Sequence, residues 1–187
     1  GVHSPTFAAA LHSALREVPD AILVGELRDL ETMSIAMTAA EMGVLVMGTL
    51  HTNGAAPTID RVVNIFPADK QDHVRNMLST SLRGIVSQQL LRTKDGAGRV
   101  PALEVLINTP AVANLIRQGK IEQLENVIQS SAAEGMFTMD SSIKRLFDEG
   151  KITGEEAYLN AFDKSKFEQI KDQSPDRPLE LPESAVA

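Results

Sequence analysis

The apolar positions of the chain change period several times, and each change marks an element. Phe7, Leu11, Leu15 and Val18 recur at helical spacing behind Ser4-Pro5, which reads as an N-cap followed by a proline in the first turn, and Pro19 closes the segment. Ala21 to Val24 is then a short unbroken apolar run, the kind buried on both faces of a parallel sheet. Asp29 is placed to cap a helix with Met33, Ala36, Met37 and Ala40 on one face and Gly43 at its end. Val44 to Leu50 reads as a second buried strand. Strand, helix and strand in this order predict a parallel pair joined by a crossover.

A further helix is expected from Pro57 to Ile65, and Val74, Met77, Leu78, Leu82 and Ile85 form a longer amphipathic stripe after Phe66-Pro67. The segment from Ile85 to Leu91 fits either a helix or a strand. Asp95-Gly96-Ala97-Gly98 is a turn ahead of a strand at Val100 to Ile107, which predicts a hairpin. Beyond Thr109-Pro110 the spacing is helical only, with stripes at Val112, Leu115 and Ile116, at Ile121, Leu124 and Ile128, and at Met139, Ile143, Leu146 and Phe147 before Gly150. Thr153-Gly154-Glu155-Glu156 matches a capping box and opens a last helix carrying Ala157, Tyr158, Ala161 and Phe162. The segment from Gln173 to Ala187 holds three prolines and little apolar periodicity, as a disordered tail does.

Composition narrows the class. A chain of 187 residues with 43% hydrophobic and 23% charged residues can bury one substantial core, or one core with an appendage. The net charge of −7 argues against a nucleic-acid or anionic-membrane surface, and one Tyr with no Trp argues against stacking on bases. The absence of cysteine removes disulfides and thiolate metal sites and fits a reducing cytoplasm. No apolar run approaches the ~20 residues that span a bilayer.

The chemistry concentrates where the first two strands end. Asp20 to Asp29 and Gly48 to Thr52 each pass from an apolar run to polar groups, and open α/β sheets place their ligands at the carboxyl ends of strands. Glu26, with Gly25 giving the backbone room, can hold Mg²⁺ through water or orient a water that attacks a phosphate; the ordinary alternative is a surface Glu paired with Arg28. His51 is flanked by Thr49, Thr52 and Asn53, small hydrogen-bonding groups of the kind a phosphate sensor needs; a lone loop histidine is its ordinary alternative. Arg28 is a phosphate ligand or a local ion-pair partner of Glu26 and Asp29.

Ile22 to Asp29 (ILVGELRD) resembles the atypical Walker B motif of secretion and type IV pilus ATPases, and Gly48 to Asn53 (GTLHTN) resembles their His box. Thr58 to Pro67 and Ser81 to Leu90 are similar to the twitching-motility branch, the PilT/PilU family, and the resemblance runs from residue 1 to about Phe162. It implies an α/β fold: a partial RecA-like P-loop NTPase core with a mostly parallel sheet at 1–108, a helical subdomain at 109–172, and a tail at 173–187. It implies ATP and Mg²⁺ as cofactors, with Glu26 as the Walker B acid acting on Mg²⁺ indirectly and His51 sensing the γ-phosphate. Thr49, Thr52 and Arg28 would contact the nucleotide. Ala111 to Gln118 (AVANLIRQ) resembles the helix motif that retraction needs beyond hydrolysis, which assigns force transmission or partner contact to Ala111, Asn114, Leu115, Ile116 and Arg117. Ala113 and Gln118 depart from that motif and leave an accessory, PilU-like role open.

The family's Gly-rich loop ending in Gly-Lys-Ser/Thr is missing from the sequence: Gly119-Lys120-Ile121 and Gly150-Lys151-Ile152 lack the hydroxyl that follows, and both read as helix-ending turns. The chain is therefore expected to be the C-terminal part of a hexameric motor ATPase for pilus retraction, inactive alone, with a strand edge left open beside Val44 to Leu50. The resemblance further implies work at the inner face of the cytoplasmic membrane, with a membrane platform protein and a paralogous pilus ATPase as partners. A type II secretion or pilus extension ATPase is disfavoured because those usually carry a four-cysteine zinc insertion. A non-enzymatic adaptor is disfavoured because a scaffold needs neither Glu26 nor His51.

Overall fold

A computed structural model describes residues 6–173. The order is α1 (Phe7–Arg16), β1 (Ala21–Val24), α2 (Leu30–Glu41), β2 (Leu45–Gly48), α3 (Ala55–Asn64), α4 (Gln71–Ser81), β3 (Gly84–Arg92), β4 (Arg99–Ile107), α5 (Pro110–Gln118), α6 (Leu124–Ser130), α7 (Met139–Asp148) and α8 (Gly154–Asn160). β1 and β2 pair in parallel, with Ala21 opposite Leu45 and Val24 opposite Gly48. Because the two strands stop at the same level, the loops that follow them emerge side by side. β3 and β4 form an antiparallel hairpin from Gly84 opposite Ile107 to Arg92 opposite Arg99, so the ambiguous segment at 85–91 is strand. The fold is α/β, as expected.

Three apolar clusters hold the elements. The largest joins Met33 and Met37 of α2, Ile59 and Val63 of α3, Val74 of α4, Leu106 of β4, Val112 and Ile116 of α5, and Leu124 and Ile128 of α6. A second packs Leu91 and Ala102 of the hairpin against Met139, Ile143, Leu146 and Phe147 of α7, Ala157 of α8 and Phe167. The third is small: Leu11, Val24 and Ala36, with Ile22, Ile35 and Val46 against it. α5 and α6, which follow the last residue of β4, share a core with α2, α3 and α4. The hairpin serves both large cores.

The structure corrects several expectations. Thr6 caps α1, accepting from the Ala9 N–H at 3.0 Å, and Ser4-Pro5 lies outside the described residues. Val18 adopts φ 52° and is exposed, so the stripe of α1 ends before it. β1 and β2 are covered on one face only. Ile22, Val24 and Val46 meet α1 and α2, while Leu23 (71% exposed), Leu45 and Met47 point the other way, where no element packs among the described residues. The second edge of β2 likewise has no strand partner among those residues. α3 starts at Ala55, two residues before the expected Pro57. Thr153 accepts from the Glu156 N–H at 3.1 Å as a capping residue, but Glu156 Oε1 accepts from Arg92 N–H at 2.8 Å and ties α8 to β3 instead of closing the box. Gly154 donates its N–H to Gln173 O at 2.9 Å, and a Cβ there would overlap the Ile170 carbonyl oxygen. The tail beyond Gln173 lies outside the described residues.

Candidate active site

The loops after β1 and β2 are stitched together by their own backbones. Leu27 N–H donates to Thr49 O at 2.9 Å, and the Thr49 hydroxyl donates to Gly25 O. These bonds continue the parallel pairing past the last strand residues, so Glu26 and His51 meet. Glu26 Oε1 lies 3.6 Å from His51 Nε2, and Glu26 Oε2 lies 3.7 Å from the Arg28 guanidinium. Both distances are within ion-pairing range and too long for direct hydrogen bonds, so neither partner saturates the carboxylate. The Glu26 side chain is 32% exposed and that of His51 is 86% exposed, so an acid and an imidazole stand open to solvent where two strands finish.

Asp29 completes the local order. Its carboxylate caps α2, accepting from Thr32 N–H at 2.8 Å and from the Thr32 hydroxyl at 2.9 Å. Those bonds, the backbone one first, hold the Asp29 carboxyl below its ordinary range, with Arg28 adding a smaller pull. Asp29 thereby anchors the turn in which Glu26 and Arg28 sit.

The other expected residues lie in two places. Thr52 faces α3, its hydroxyl 2.7 Å from that of Thr58, which donates to Gly54 O. It braces the loop of His51 from behind. Ala111, Asn114, Leu115, Ile116 and Arg117 sit on α5, which packs on α4; Arg117 reaches Ser79 Oγ at 3.5 Å. Ile116 is fully buried in the large core and Leu115 is half-buried, so only Ala111, Asn114 and Arg117 present surface.

Two residues that the sequence reading passed over hold the far end of the His51 loop. Gly54, at φ 105°, donates to Ser87 Oγ at 2.9 Å, and Ala55 N–H donates to Glu104 Oε1 at 2.7 Å. Ser87 and Glu104 are register partners in the hairpin. The signal was present in the alternation of β4: Ala102, Glu104 and Leu106 share the inward face, and a carboxylate in that row needs partners.

Among the described residues, no group of three or more His, Asp or Glu is placed to hold a metal ion. Glu26 is a lone acid with a guanidinium beside it, which suits contact through a water of Mg²⁺ better than direct ligation.

Residues 2–135 match the family model described as Type II/IV secretion system protein. The chain belongs to this family. It is 57% identical over 159 residues to a twitching motility protein of Neisseria gonorrhoeae, a match covering 85% of this chain and 42% of that protein. It is 54% identical over 158 residues to the type IV pilus retraction ATPase PilT of Pseudomonas aeruginosa, covering 83% and 46%. The crystal structure of the pilus retraction motor PilT with bound ADP superposes with a TM-score of 0.82 at 47% identity, over 90% of this chain and 47% of that one. The chain therefore spans less than half the length of these relatives.

Proposed function

We propose that this chain supplies the Walker B acid and the phosphate-reading histidine of an ATP-hydrolysing motor that retracts type IV pili. The observation that carries the reading is the 3.6 Å approach of Glu26 to His51 at the ends of two paired parallel strands. The relatives support it, since two of them are named for twitching motility and pilus retraction and one structure holds ADP. The lower identity of 42% to the pilus ATPase PilU favours the retraction motor over the accessory role.

Mg²⁺-ATP, when bound, supplies the phosphoanhydride and neutralises its charge. With Mg²⁺-ATP bound, Glu26 would be the residue that holds the metal through water, and His51 the one that reads the terminal phosphate. Arg28, 63% exposed and only loosely paired with Glu26, would be free to hold a phosphate when nucleotide is bound. Thr49 and Thr52 serve the nucleotide site by holding the two loops through their hydroxyls, Thr49 on Gly25 O and Thr52 on Thr58. The surface of α5 formed by Ala111, Asn114 and Arg117 passes force to a partner, with Leu115 and Ile116 rooting the helix in the core. In this reading six copies form a ring at the inner face of the cytoplasmic membrane, against a membrane platform protein and beside a paralogous ATPase. Among the described residues no helix is long and apolar enough to cross a membrane itself.

The test is a chimera in which this chain replaces the matching segment of the gonococcal twitching motility protein. We expect ATP hydrolysis and restored twitching, with Glu26→Gln or His51→Ala each lowering turnover by about 100-fold. Full turnover in both variants of a folded, ATP-binding chimera would defeat the reading.

A further inference from the structure

The structure assigns Glu104 a role beyond packing: we propose that it is a positioning residue that fixes the His51 loop and locks it to the C-terminal helices. The inference rests on the function proposed above for His51. Glu104 is 6% exposed, on the inward face of β4. Its Oε1 accepts from Ala55 N–H at 2.7 Å, the first residue of α3, and its Oε2 accepts from Met139 N–H at 3.1 Å, the first residue of α7. A buried carboxylate is costly unless its charge is met, and here the positive ends of two helices meet it, one at each oxygen. One side chain therefore caps two helices from different cores at once.

The contacts extend in both directions. On one side, Gly54 lies between His51 and Ala55, its N–H on Ser87, and a Cβ there would come within 3.3 Å of the Phe162 ring and 3.5 Å of Glu104 Oε1. On the other side, Asp140 follows Met139 and accepts from Phe162 N–H at 2.8 Å and Asp163 N–H at 3.0 Å. Glu104 thus joins the start of α3, where the His51 loop ends, to the start of α7, and Asp140 extends the link from α7 to the turn after α8. If α7 shifts, it must either break its bond to Glu104 or carry the start of α3 with it, and the start of α3 is where the His51 loop ends. Movement of the helical layer and movement of the phosphate-reading loop become one event.

Hydrogen exchange on this chain tests the coupling without nucleotide. Asp140→Asn perturbs the α7 side, and the Ala55 amide reports the α3 side. We expect D140N to speed Ala55 exchange several-fold, and to have no further effect on Ala55 when Glu104→Gln is already present. Glu104→Asp keeps the charge but is a methylene too short to span both helices, so it should uncouple them as E104Q does. No effect of D140N at Ala55, or the same effect in the E104Q and E104D backgrounds, overturns the proposal.

A second arm uses the chimera. We expect E104Q to lower turnover about tenfold, with ADP affinity kept within about twofold, and to add nothing in the H51A background because it acts through that histidine. Equal losses in both backgrounds overturn the proposal. A folded chimera with no hydrolysis at all defeats the functional reading and leaves the exchange result to decide the coupling.

Discussion

The parallel pair β1–β2 and the hairpin β3–β4 are built to different standards. The hairpin has nine-residue strands and contributes to two large cores, with Leu91, Ala102 and Leu106 fully buried. The parallel pair has four-residue strands, a core cluster of three buried residues, and an apolar face turned to solvent. Yet the parallel pair carries Glu26 and His51. The chemical groups sit on the weaker platform, and the stronger one reaches across through Ser87 and Glu104 to hold the loop in place. Precision at this site is borrowed from the hairpin.

Substitutions in the two regions test that contrast, and the largest effect belongs to the hairpin side. Ile143→Ala, in a fully buried position against the hairpin, should cost about 3 kcal/mol in urea unfolding. Leu11→Ala, buried in the small cluster, should cost about 2 kcal/mol, the low end for a buried leucine, because few neighbours surround it and they collapse more easily. Equal losses would erase the contrast.

Next comes the Asp29 cap: Asp29→Ala should cost about 1 kcal/mol. Because the folded-state pKa of Asp29 is depressed, its contribution is fully present above the unfolded value of about 3.9 and disappears as pH falls through the lower folded value. The stability gap between the wild type and D29A should therefore be constant near neutrality and close below about pH 4. A gap that widens in acid would contradict the assignment. The smallest effect is expected at Leu23→Ser on the open face, within about 0.5 kcal/mol by unfolding but with less self-association by light scattering.

The same contrast explains what could be read from the chain beforehand. ILVGELRD and GTLHTN announce a site only together: a strand ending in Gly-Glu or a loop histidine is ordinary alone, whereas an acid and an imidazole at the ends of consecutive strands point to one pocket. Pairing them required only the short strand–helix–strand spacing. The exposure of Leu23 and Met47 was not legible, since an apolar run shows that a strand seeks cover and not what covers it. The inward position of Glu104 was legible from the alternation of β4, but its partners were not: they are the backbone N–H groups of Ala55 and Met139, which every residue except proline carries and no motif displays. Val18 broke its stripe because a helix rarely continues through the residue before a proline, although its φ of 52° is left-handed and not the extended value that proline favours.

The contact at Gly154 places a veto on side-chain growth at one position. The chain from Ile170 to Gln173 lies across the start of α8 as a clasp, with no space for even one methyl group at the crossing. Alanine there would lift the clasp and loosen Phe167 from its seat, making residues 164–173 a target for proteases. Faster tryptic cleavage of the Gly154→Ala chain is the expected result.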